Sequence, residues 1–184
     1  MTAEGPDDRG SGTAVPHDSV AWFSEDEQRA WRAYLAASRL LDDAMDDDVQ
    51  KHGLQLSEYE ILALLSESEE RHLRMSALAD SVVQSRSRLT HTASRLEKRG
   101  LVQRRPAFDD RRGVELWLTD AGLELVEQVA PSHVESVRRH LIEHLGAERF
   151  LRLGESMAMI RDGIQAEHTS APGGPDPDAP APAH

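Results

Sequence analysis

Between residues 85 and 95, the groups able to do chemistry share one side of a helical repeat: Ser85, Arg86, Ser87, Arg88, Thr90, His91 and Arg95 are interleaved with Leu89, Ala93 and Leu96. The apolar members recur at four- and three-residue steps, which puts them on one face of a helix. The opposite face suits a DNA major groove. Arginine can bond guanine O6 and N7 bidentately, while serine and threonine are short enough to let a helix approach phosphates or base edges. Farther on, Arg111 and Arg112 occupy a charged turn between two runs that read as strands, the second alternating Val114, Leu116 and Leu118, with Asp110 beside them to hold a guanidinium. An arginine on such a two-stranded ribbon is suited to a flanking minor groove, where narrow width concentrates negative potential.

The elements that must position these groups are legible from caps and periodicity. Ser24 with Glu27 forms a capping box ahead of Trp31, Leu35, Leu41, Met45 and Val49, a run closed by Gly53. A second box, Ser57 with Glu60, predicts a helix to about Ser66, with Leu56 and Ile61 as its staple. A short helix over about 76–82 and another after the N-cap Ser85, ending at Gly100, make a helix-turn-helix. Leu101 to Arg105 and Val114 to Leu118 read as the strands of a wing. Thr119 caps a long helix that Pro131 is expected to kink, and a last helix after Gly146 carries Phe150, Leu153, Met157, Ile160 and Ile164. The expected fold is mainly α with a small β-hairpin wing, a winged helix-turn-helix with a helical dimerisation region.

The chain of 184 residues is 39% hydrophobic, enough for one compact domain at 21–165, with a DNA-binding lobe at 57–122 and dimerisation helices at 24–52 and 120–164. Residues 1–20 and 166–184 are poor in large apolar groups and rich in Gly, Pro, Asp and Ala, and are expected to be disordered tails. The net charge of −12 argues on its face against a nucleic-acid partner, yet Arg71 to Arg112 holds eleven basic and four acidic residues, a local +7 that leaves −19 elsewhere. The acidic run Asp42, Asp43, Asp46, Asp47, Asp48 reads as a solvated helix face. No apolar run approaches a membrane span and no signal peptide is recognisable, so a cytoplasmic protein without a membrane partner is expected. Zero cysteines exclude a disulfide framework and a thiolate site.

At the motif level, Leu56-Ser-x-Tyr-Glu-Ile-Leu, Ser85-Arg-Ser-Arg-Leu-Thr, Arg95-Leu-Glu-Lys-Arg-Gly-Leu-Val, Asp109-Asp-Arg-Arg-Gly and Leu118-Thr-Asp-Ala-Gly together resemble the multiple antibiotic resistance regulator (MarR) family. The resemblance covers Leu56 to Gly122 and, with flanking helices, about 24–164; it departs at Val83-Gln84, where the family usually has Gly followed by an apolar residue. It implies a homodimer on a pseudo-palindromic double-stranded DNA operator, usually a repressor released by a small aromatic or anionic effector. The apolar stripes of the first and last two helices independently call for a two-fold partner. Trp31 and Tyr34 are the candidate effector contacts. Two alternatives stay open: a metal-responsive regulator using His133, His140 and His144, or a winged-helix protein-interaction module. No metal or other cofactor is expected. Without a Gly-rich phosphate loop, a cysteine nucleophile or a localised acid/base pair, the chain is not expected to be an enzyme.

Overall fold

The computed structural model describes residues 21–82, 85–107 and 113–170. Helix α1, Glu25–Gln50, starts at the expected cap: Ser24 N donates to the Glu27 carboxylate at 2.7 Å and Glu27 N donates to Ser24 Oγ at 3.3 Å. The chain divides into two compact units between Arg39 and Leu40, inside this helix, where one domain was expected. The buried residues of α1, Met45, Asp48 and Val49, all fall in the second unit. In the first, Trp31 and Tyr34 stack on each other with ring centroids 5.7 Å apart, both well exposed.

Helix α2, Leu56–Glu67, has its N-cap at Gln55, earlier than the expected cap Ser57. The cap is Gln55 with Glu58, and the expected pair Ser57 and Glu60 lies inside the helix. The flanking apolar pair is then Leu54 and Tyr59, both buried, in place of Leu56 and Ile61. Strand β1, His72–Arg74, was not expected, because three residues are too few to display a two-residue alternation. Helices α3, Met75–Ser81, and α4, Arg86–Lys98, form the helix-turn-helix; Val83 and Gln84 between them lie outside the described residues.

Strands β2, Val102–Pro106, and β3, Val114–Leu118, complete an antiparallel sheet of order β1-β3-β2, with Leu116 opposite both Leu73 and Arg104. Leu62, Leu65, Leu78, Leu89, Leu96 and Leu116 are fully buried, so the core lies where α2, α3, α4 and the sheet meet. Gly100, with φ +73°, turns the chain from α4 into β2 in the left-handed conformation expected of it.

Helix α5, Asp120–Val137, is capped by the Thr119 hydroxyl, which accepts from Gly122 N at 3.0 Å. It continues through Pro131 as one helix, and a π-helical turn, Arg138–Ile142, follows and leads into α6, Glu143–Leu145. Helix α7 runs Ala147–Ser170, past residue 165 where a C-terminal tail was expected to begin; the remaining tail residues lie outside the described set. Among the described residues, no helix is long and apolar enough to cross a membrane.

Candidate nucleic-acid interface

Helix α4 is held by one face and offers the other. Leu89, Thr92, Ala93 and Leu96 are buried, and Arg86, Ser87, Arg88, Thr90, His91 and Arg95 are exposed. Ser85 caps the helix, its hydroxyl accepting from Arg88 N at 3.2 Å. Ser85, Ser87, Arg88, His91 and Arg95 line a polar groove, which Gln55 and Ser57 at the start of α2 close from the other side. Two helix N-termini therefore open on one groove; that of α2 is already capped by the Glu58 and Asp46 carboxylates, and the first turn of α4 is the end whose N–H groups favour anionic oxygen. Ser57 was missed as a groove residue because it read as a helix cap, and Gln55 because nothing in its residue type marks it.

The other sequence-predicted residues divide. Arg86 and Thr90 are exposed on α4 but do not line the groove, and the Thr90 hydroxyl donates to Arg86 O at 2.8 Å. Arg95 is engaged inside the protein, its Nε donating to Glu58 Oε1 at 3.1 Å and its Nη2 to Gln55 Oε1 at 2.8 Å. Asp110, Arg111 and Arg112 lie outside the described residues.

The wing is fastened by two arginines whose roles pattern alone did not reveal. Arg104 of β2 donates through Nη1 to Glu97 at 2.8 Å, and through Nη2 to Thr90 O at 2.8 Å and Ser94 Oγ at 3.0 Å. Strand and recognition helix are thus joined through two side chains and one backbone carbonyl of α4. On the other sheet face, the Arg105 guanidinium lies 4.4 Å over the Trp117 ring, on which His72 also stacks at 4.0 Å.

A second concavity, about 390 Å³, is lined by Tyr59, Glu60, Ala63, Leu64, Glu67, Ser81, Val82 and His133. His133 packs on Tyr59 with centroids 4.7 Å apart, and burial holds its imidazole below its ordinary pKa, against the pull of Asp48. Burial, and after it the charge of Glu67, raises the Tyr59 phenol; burial, and after it Asp42, raises the Glu60 carboxyl. The three histidines considered for metal do not converge: His144 Nδ1 is 2.9 Å from Arg139 O, and the π-helical turn spoils the i,i+4 register of His140 with His144. Among the described residues, no group of three or more His, Asp or Glu is placed to hold a metal ion. Nor is the acidic run of α1 merely a solvated face, because Asp46 Oδ1 accepts from Leu56 N at 2.7 Å and Asp48 is buried against Lys51.

A helix-turn-helix with a sheet-borne wing and an exposed arginine-serine helix face defines a winged helix-turn-helix protein. The MarR family model matches residues 54–114. AbsC, a MarR family transcriptional regulator from Streptomyces coelicolor, is similar in structure with a TM-score of 0.76 and 43% identity, over 80% of this chain and 99% of AbsC. Another MarR family regulator from Streptomyces coelicolor, crystallised in complex with DNA, gives a TM-score of 0.75 and 40% identity over 78% of this chain and 94% of its own. PecS, an HTH-type transcriptional regulator from Dickeya dadantii, is 35% identical over 102 residues, 55% of this chain; the match spans only 61% of PecS. The chain belongs to the MarR family, a family of transcriptional regulators and not of enzymes.

Proposed function

We propose that the protein is a cytoplasmic, sequence-specific DNA-binding regulator that acts as a homodimer on a pseudo-palindromic operator, as a repressor released by a small effector. The observation that carries this reading is the α4 face, where Arg86, Ser87, Arg88, Thr90 and His91 stand exposed at the N-terminal end of a helix anchored by its opposite side. Residues at that end of a recognition helix usually meet base edges, and a pair of such helices about one DNA turn apart reads two half-sites. Arg86 or Arg88 reads a guanine bidentately. Ser85, Ser87 and the groove residues Gln55 and Ser57 meet phosphates. The Arg111 and Arg112 pair, with Asp110, contacts the flanking minor groove. The likeness to a relative crystallised with DNA supports the reading.

The effector reading draws on the cleft at Tyr59 and His133, whose volume suits a small molecule, and on the exposed aromatic pair Trp31 and Tyr34. Selection of duplexes from a random library by the full-length protein tests the DNA reading. An enriched palindrome with two half-sites about 10 base pairs apart is expected, and either Arg86→Ala or Arg88→Ala should relax one position per half-site with a loss of roughly 1–3 kcal/mol in discrimination. Enrichment of no motif would overturn it and favour a protein-interaction module.

A further inference from the structure

We propose that Glu58 is a positioning residue that sets the angle of the recognition helix on DNA, and that Arg95 and Arg99 act through it and not on the nucleic acid. The inference rests on the DNA-binding reading above. The Glu58 side chain is only 6% exposed, yet three donors from two helices converge on it. Its Oε1 accepts from Arg95 Nε at 3.1 Å; its Oε2 accepts from Gln55 N at 3.1 Å and from Arg99 Nη1 at 3.4 Å. Arg95 Nη2 adds a bond to Gln55 Oε1 at 2.8 Å, so three bonds tie the start of α2 to the end of α4, and the Gln55 N bond fixes Glu58 within the α2 cap.

Apolar packing of Leu89, Ala93 and Leu96 resists separation of the helices but is non-directional and tolerates rotation. Charge-assisted hydrogen bonds are directional and supply the missing constraint. At about 1.5 Å per residue, Arg86 and Arg88 lie roughly 10–14 Å along the helix from Arg95. A tilt of about 10° about the clamped end would move them by about 2 Å, beyond the roughly 0.5 Å tolerance of a directed contact. Two of the five Arg95 N–H donors, one on Nε and one on Nη2, are committed to Glu58 and Gln55, so swinging the guanidinium away from α2 would break both bonds and weaken the pairing of a buried carboxylate.

The test uses the full-length protein, the tightest duplex from the random-library selection, and a shuffled duplex of equal composition. Glu58→Gln preserves shape and an acceptor for Gln55 N while removing the charge that gathers the arginines. Its affinity for the selected duplex should fall tenfold or more, with affinity for the shuffled duplex changed less than about twofold. Arg99→Ala, at the half-exposed end of α4, should reduce the same ratio if Glu58→Gln is too unstable to purify. An inactive fraction lowers both affinities together, so a preserved ratio overturns the proposal. Arg95→Ala supplies a second arm: the slope of log K against log salt should be unchanged, whereas loss of one phosphate contact per half-site would make it shallower by about 2 and overturn the assignment. Failure of the wild type to prefer the selected duplex would instead count against the DNA-binding reading itself.

Discussion

Asp48 shows how a charge that looks ornamental in the sequence works in the fold. It sits in the last turns of α1 beside the Lys51 ammonium, whose hydrogen bond, together with the Ser136 hydroxyl, holds the carboxyl at about 2 against the opposing effect of burial. A carboxyl depressed in the folded state stabilises the protein above its unfolded pKa, and that contribution is lost as pH falls toward the folded value. The shift corresponds to about 2 kcal/mol, reduced by solvent screening because Lys51 is largely exposed. Asp48→Asn should therefore lower stability by on the order of 1–2 kcal/mol at pH 7, measured by urea unfolding. The gap between variant and wild type should close between pH 4 and about 2, and a gap independent of pH would show that Asp48 acts by packing alone. Neutral His133 has the same direction of pH dependence: the unfolded chain takes its proton first, so stability declines as pH falls below the ordinary imidazole value.

Among the elements, the junction of the wing and α5 is the tightest. A Cβ added to Gly122 would lie 2.2 Å from Leu101 O and 2.7 Å from Leu118 Cδ1, and the oxygen belongs to backbone that also accepts from Thr119 N at 3.1 Å. Relief requires α5 to move off the strands. Gly122→Ala should cost about 3 kcal/mol or more and lower the thermal midpoint by several degrees. Gly100→Ala has open space around its Cβ and pays chiefly for its positive φ, so it should cost less. The Leu118-Thr-Asp-Ala-Gly run was readable as a cap and staple, but nothing local announces that its glycine, Gly122, packs on the carbonyl of Leu101, far earlier in the chain. Elements with long apolar periods and clear caps, α1, α4 and α5, could be read directly. Strand β1 could not, since its pairing with β3 is non-local and its three residues show no period. The Gln55 cap was hidden because Ser57 is the stronger capping type, and tertiary bonds from Arg95 to Gln55 and Glu58 favour the earlier start. For the same reason the exposed face of α4 was legible, while the inward ties of Arg95 and Arg104 were not.

At the scale of the whole molecule, two features must coexist: an association surface and an acidic chain that binds a polyanion. Met157, Ile160 and Ile164 of α7 are exposed apolar side chains on one seam, and burying each in a dimer contributes on the order of 1.5–3 kcal/mol. The double variant Met157→Glu, Ile160→Glu should sediment as a monomer and lose operator binding with it, and an unchanged dimer would move the interface elsewhere. The electrostatic problem is sharper. The full chain carries −12, but the segment Arg71 to Arg112 carries +7, and charges more than about a Debye length from the DNA, roughly 10 Å at 0.1 M salt, are screened. Arg71, Arg95, Arg99 and Arg104 are paired with Asp120, Glu58 and Glu97, which leaves Arg86, Arg88, Lys98, Arg111 and Arg112 as the principal candidates to displace counterions. With about 6–10 phosphates neutralised by basic side chains across two lobes, log K should fall with log salt at a slope of about −5 to −9. Removing residues 1–20 and 171–184 should shift affinity less than Arg88→Ala does, although the tails carry more formal charge. Fluorescence anisotropy with a labelled selected duplex from 50 to 300 mM salt decides it: a slope near zero, or a larger gain from tail removal than the loss from Arg88→Ala, would mean that total charge governs binding and that its segregation along the chain does not.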